Sequence, residues 1–172
     1  PTINYAQVHD HVQRALATAA ANQRAERLIA LGIRLVRGEA RFIDRGSVKV
    51  GETTVKARRF AIATGSTPEL PELPGLAALD PRFVLTEDDL TGLTKLPERL
   101  AVLGGSGPAV ALAQAFARLG SSVTLICPAG ILPEHDSEAA MLVRRQLLHE
   151  GVVLHEDSEA VRVEGRRGGL SL

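Results

Sequence analysis

Gly104, Ser106 and Ala109 fall in the spacing Gly-x-Ser-x-x-Ala, between the apolar run Leu100–Leu103 and an amphipathic stretch. Small residues at this spacing let a backbone come close to a diphosphate. Gly104 supplies freedom at φ where a tight turn needs it. Ser106 is small enough for backbone to approach a pyrophosphate, and Ala109 lets the next helix pack near its strand. Pro108 suits a first helical turn, where its missing N–H would be unpaired anyway. A helix N-terminus there would carry about half an elementary positive charge and hold an anion. The same residues also fit a strand–helix–strand unit whose small side chains serve close packing alone.

The elements around this turn follow from its flanks. Leu100–Leu103 is apolar without alternation, as a strand buried on both faces requires. Ala109, Leu112, Ala113, Phe116 and Ala117 recur at helical spacing, Gly120 ends the helix, and Val123–Ile126 is a second strand. Asp136 or Ser137 caps a further helix through Glu150, with Ala140, Val143 and Leu147 inward. Val152–Leu154 is a strand, and Glu159–Glu164 begins another before a frayed end over Gly165–Leu172. Upstream, Asn4 with Gln7 reads as a cap, and Val8, Val12, Ala15 and Ala19 stripe a helix running to Leu31. Ile33–Val36 reads as a strand. Ala40–Asp44, Ser47–Val50 and Thr53–Lys56 form an antiparallel meander broken by glycines, and Arg59–Ala63 is a further strand. Thr67–Pro81 holds prolines 68, 71, 74 and 81 and reads as a crossover. Thr86–Leu90 is a helical turn.

Composition narrows the function. The 172 residues are 45% hydrophobic, with no Trp, one Tyr and four Phe, so the core must be aliphatic. Twenty basic residues balance twenty acidic ones, which argues against a nucleic-acid partner. No apolar run approaches ~20 residues, which argues against a membrane span. The start of the chain leads straight into an amphipathic segment, so no export signal is expected. Cys127 is the single cysteine, which excludes an internal disulfide and fits a cytoplasmic protein. His9, His11, His135, His149 and His155 are scattered and do not make a metal site.

Three segments in order carry a resemblance. Gly32–Phe42 contains Gly38-Glu39-Ala40-Arg41-Phe42, Ile62–Pro68 contains Ala63-Thr64-Gly65, and Leu100–Ile126 holds the glycine turn. Together they resemble an internal piece of the flavoprotein disulfide reductases, the class I pyridine nucleotide-disulfide oxidoreductases that include mercuric reductase and dihydrolipoamide dehydrogenase. The resemblance implies an α/β fold: Rossmann-like parallel sheet pieces of the FAD- and NAD(P)-binding type, with a small antiparallel meander. It implies the C-terminal part of a flavin domain over 1–66, a crossover over 67–96, and the first half of a nicotinamide-nucleotide domain over 97–172. It implies contacts to FAD from Ala40, Thr64 and Gly65, and to NADP or NAD from Gly104, Gly105, Ser106, Ala109, Cys127 and Ala160. The parent is expected to be a homodimer that moves electrons from NAD(P)H through FAD to a disulfide, metal ion or other small-molecule acceptor.

The departures from the family matter equally. The chain lacks the first flavin fingerprint and the Cys-x4-Cys pair, so no catalytic residue is assigned and the piece alone is expected to be inactive. Ala111 stands where many members have a glutamate near the nicotinamide. Cys127 stands where NAD-dependent members have an acid, which tilts the expectation towards NADP. Two other readings remain: a nucleotide-binding module without catalysis, and a flavoprotein of the same family that reduces quinone or oxygen without a cysteine pair.

Overall fold

The computed structural model describes residues 3–21, 25–166 and 169–172. The chain divides into two compact units, Val12–Thr67, and Pro1–His11 with Pro68–Leu172. The fold class is α/β, with one parallel and one antiparallel three-stranded sheet.

In the larger unit, β4 (Arg99–Leu103), β5 (Ser122–Cys127) and β6 (Val153–Glu156) form a parallel sheet in that order. The register places Leu103 beside Ile126 and Cys127 beside Glu156. Helix α4 (Gly107–Leu119) connects β4 to β5, and α5 (Ser137–His149) connects β5 to β6. Both helices stop for the same reason. Gly120 and Gly151 take φ of 110° and 83°, and the amides of Ser121 and Val152 turn back to Phe116 O and Leu147 O, each at 3.0 Å. The core is aliphatic, as the composition requires. Leu125, Leu147, Cys127 and Ala113 are fully buried, joined by Val110, Phe116, Val123, Ile131 and Val152. The α4 stripe is centred on Val110, Ala113 and Phe116, with Ala109, Leu112 and Ala117 half-buried at its margin. Arg118 clamps the two helices, its Nε and Nη2 donating to Glu150 at 3.0 and 2.7 Å. Short α3 (Glu87–Leu90) begins at a capping box between Thr86 and Asp89.

The chain end corrects an expectation. No strand spans Glu159–Glu164. Instead Glu164–Arg166 (β7) pairs antiparallel with Gly169–Ser171 (β8), so the described residues of the expected frayed end form a hairpin. The hairpin supplies the partners that make these residues strands.

In the smaller unit, β1 (Ala40–Asp44), β2 (Ser47–Val50) and β3 (Thr53–Lys56) form the meander at the expected boundaries. Asp44 Oδ1 accepts the Gly46 amide at 2.7 Å, which folds the first turn. Gly38, at φ 141°, lies so close to Val50 that a Cβ would meet Val50 Cγ1 at 2.9 Å. Two expected strands are absent. Ile33–Val36 and Arg59–Ala63 have no ladder partner among the described residues, and Ile62 is 75% exposed. A strand is defined by its neighbour as well as by its side chains, and neither segment has one. The long helix, whose residues up to His11 are assigned to the larger unit, is also revised. Helix α1 spans Tyr5–Ala21 and α2 spans Ala25–Ala30, with residues 22–24 outside the described set. Val8 and Val12 are half-buried, while Ala15 and Ala19 are exposed. Gly32 (φ 80°) ends α2. Among the described residues, no helix is long and apolar enough to cross a membrane.

Candidate functional site

The chain leaves β4 at Gly104, whose amide still donates to Ile126 O at 2.8 Å. Gly104 then takes φ of 111°, a conformation that side-chain-bearing residues rarely adopt. A Cβ placed there would meet nothing within 4 Å, and the same is true of Gly107. The turn is therefore open above the first turn of α4. Ser106 caps that helix from an extended backbone (φ −65°, ψ 162°). Its role is a cap, which the spacing alone had suggested only as a small residue. The bond from the Ala109 amide to Ser106 Oγ is 3.5 Å long, hence weak, and leaves that N–H accessible to a stronger acceptor. Pro108 lies in the first turn as expected. An open turn, a loosely held amide and the N-terminus of a 13-residue helix are the features that favour an anion in general. Gly104 and Gly107 leave unfilled space beside these amides.

Gly105 is small for a different reason. A Cβ there would stand 2.0 Å from Gly130 O and 3.1 Å from Cys127 Cβ. Its carbonyl accepts the Leu132 amide at 2.7 Å. The turn after β4 is thus pressed against the loop after β5. That loop is shaped by Gly130 (φ 74°) and by Leu132 (φ 50°), an uncommon value for a leucine. Sequence reading missed both residues as part of the site. Pro128-Ala129-Gly130 is a turn signal that could have found Gly130, whereas nothing in the sequence marks Leu132.

Cys127 ends β5, fully buried, with its thiol donating to His155 O at 3.7 Å. Burial pushes the thiol pKa up, and the charges of Glu156 and Asp157 push it the same way. A buried, protonated thiol is a poor nucleophile and presents no group to a ribose. Glu156 lies beside it on β6, ion-paired with Arg144 of α5. Ala160 is half-buried in the irregular stretch after β6. No group of three or more His, Cys, Asp and Glu that could hold a metal ion occurs among the described residues.

The remaining candidates lie in the smaller unit. Ala40 opens β1, exposed, opposite Val50. Thr64 and Gly65 are exposed in the irregular stretch before Pro68, and Gly65 takes φ of 74°. Among the described residues of this unit, no strand runs through a glycine turn into a helix, so the strand–turn–helix arrangement of Gly104 does not recur there.

Comparison with known proteins identifies the family and the shared fold. The family profile described as "Pyridine nucleotide-disulphide oxidoreductase" matches residues 3–172. A mercuric reductase of Lysinibacillus sphaericus is 38% identical over 131 residues, covering 76% of this chain and 23% of the relative. A mercuric reductase of Streptomyces lividans is 36% identical over 141 residues, covering 78% of this chain and 29% of the relative. The chain thus spans about a quarter of the length of these relatives. Among solved structures, the HOCl-induced flavoprotein disulfide reductase RclA from Escherichia coli superposes with a TM-score of 0.82 at 24% identity, covering 98% of this chain and 39% of that one. LpdA from Mycobacterium tuberculosis gives 0.79 at 24% identity, covering 99% and 39%. At these identities the superpositions show the shared fold.

Proposed function

The chain belongs to the pyridine nucleotide-disulphide oxidoreductase family, and from that premise we propose that it contributes the nicotinamide-nucleotide cradle of an FAD-dependent reductase. Residues 97–172 would form the first half of the nucleotide domain, 1–66 part of the flavin domain, and 67–96 the crossover. The whole enzyme would move electrons from NADPH or NADH through FAD to a disulfide or metal-ion acceptor, the two bound cofactors supplying the hydride and the relay. The kinship with mercuric reductases supports a metal ion as acceptor.

Within this scheme the chain's own residues bind and orient. Gly104 and Gly107 leave room for the diphosphate, and the α4 amides would face its charge. Gly105 holds the cradle to the loop after β5. Ala40, Thr64 and Gly65 would give FAD edge contacts only, so this chain alone should not retain flavin. Nor should it turn over. A dithiol relay needs two cysteines, and Cys127 is single and buried.

The observation that carries the reading is the open Gly104 turn over the α4 N-terminus. Isothermal titration of the chain with NADPH and with NADH tests it. Saturable binding of at least one coenzyme is expected, without flavin absorbance. Flat titrations of both, with circular dichroism showing an intact fold, would overturn it.

A further inference from the structure

Resting on the reading of Gly104–Ala109 as a dinucleotide cradle, we propose that the Arg144–Glu156 ion pair selects the ribose end of the coenzyme and favours the 2′-phosphorylated form. In nucleotide-binding folds an acid at the end of the second strand accepts hydrogen bonds from the ribose hydroxyls. That position is Cys127, whose side chain is buried and turned to His155 O. A carboxylate stands one strand over instead. Glu156 is the register partner of Cys127, and its Oε1 lies 3.6 Å from where a Cβ on Gly130 would stand. Gly130 is the residue against which Gly105 packs. A carboxylate therefore sits against the loop that supports the phosphate turn.

This carboxylate is already engaged, because Arg144 Nε donates to Glu156 Oε2. The Arg144 side chain is 50% exposed and that of Glu156 20% exposed, so the cation is the more accessible member. A ribose 2′-hydroxyl would have to displace Arg144 to reach the acid. A 2′-phosphate meets a guanidinium whose planar fork carries five N–H donors, of which Nε is committed to Glu156. Charge and hydrogen-bond geometry both favour the phosphate.

Dissociation constants for NADPH and NADH, measured by titration calorimetry on the wild-type chain, Arg144→Ala, Arg144→Lys and Glu156→Gln, test the proposal. The wild type should prefer NADPH. Arg144→Ala should weaken NADPH about tenfold and leave NADH unchanged or tighter, since the freed carboxylate can then accept from the ribose. Arg144→Lys should retain part of the preference, and Glu156→Gln should not reduce it. A wild-type preference for NADH, or an Arg144→Ala effect equal on both coenzymes with an unchanged melting temperature, would overturn the proposal. Failure of the wild type to bind either coenzyme would instead refute the cradle itself, and this inference with it.

Discussion

The two units are built from similar residues yet differ in how they close. In the larger unit, two helices cover a parallel sheet, and Leu125, Leu147, Cys127 and Ala113 lose all contact with solvent. In the smaller unit, only Ser47 and Val50 are buried among the described residues, while Ile29, Ile33, Leu35, Phe42, Ile43 and Ile62 stay exposed. The meander has tight turns and a ladder interrupted only between Phe42 and Asp44, yet its described residues bury little apolar surface. Hydrogen-bonded strands set local shape, and a covering face is what turns apolar side chains into a core.

The sharpest way to break this comparison is to add one methyl group on each side. Gly105→Ala places a Cβ 2.0 Å from a backbone oxygen, so the turn or the loop must move. We expect a loss of about 3–5 kcal/mol in urea unfolding, together with loss of coenzyme binding. Gly51→Ala in the meander meets nothing within 4 Å and should cost only the left-handed backbone strain, about 1–2 kcal/mol. Equal costs would mean that the close approach is not rigid. Truncation gives the next contrast. Leu147→Ala should lower stability by about 2–4 kcal/mol, and Ile62→Ala, at 75% exposure, by less than about 0.5 kcal/mol. Amide hydrogen exchange should follow the same divide, with Leu125 slow and Ile62 unprotected.

The smallest effect sharpens the picture inside the larger unit. The hydrogen bond from Arg118, with help from Gln146, holds the Glu150 carboxyl down to about 2, against an ordinary value of 4.5. A depressed folded value stabilises the native state above pH 4.5, and that contribution is lost as the pH falls towards 2. Glu150→Gln should therefore lower the melting temperature slightly at pH 7, and the two proteins should converge near pH 2. A constant gap across that window would show that the pair contributes through packing instead.

Legibility followed the range of the forces involved. The meander was readable to the residue because Gly46, Gly51 and Asp44 fix its turns locally. The βαβ unit was readable because apolar runs, a proline and Gly120 punctuate it. Ile33–Val36 and Arg59–Ala63 have strand-like side chains but no neighbour to bond among the described residues, and a sequence does not display its neighbours. The exposure of Ala15 and Ala19 was hidden for the same reason. At the site, the small residues were visible, but their separate duties were not. Gly104 leaves space, Ser106 caps, and Gly105 yields to Gly130, a residue 25 positions away. The pairing of Arg144 with Glu156 needs the whole α5-to-β6 crossover before it exists.

The bond between Leu132 and Gly105, with Gly130 wedged beneath, has a consequence for how such a protein can change. Two chain segments are gauged against each other at fixed separation, like a key cut to one blank. The exposed side chains of Pro128 and Ala129 can vary without disturbing that gauge, whereas Ile131 is held in the core, and an inserted or deleted residue between Cys127 and Leu132 would shift the turn proposed to receive the coenzyme. Length here should be inherited more strictly than identity, and any redesign of this loop should proceed by substitution alone.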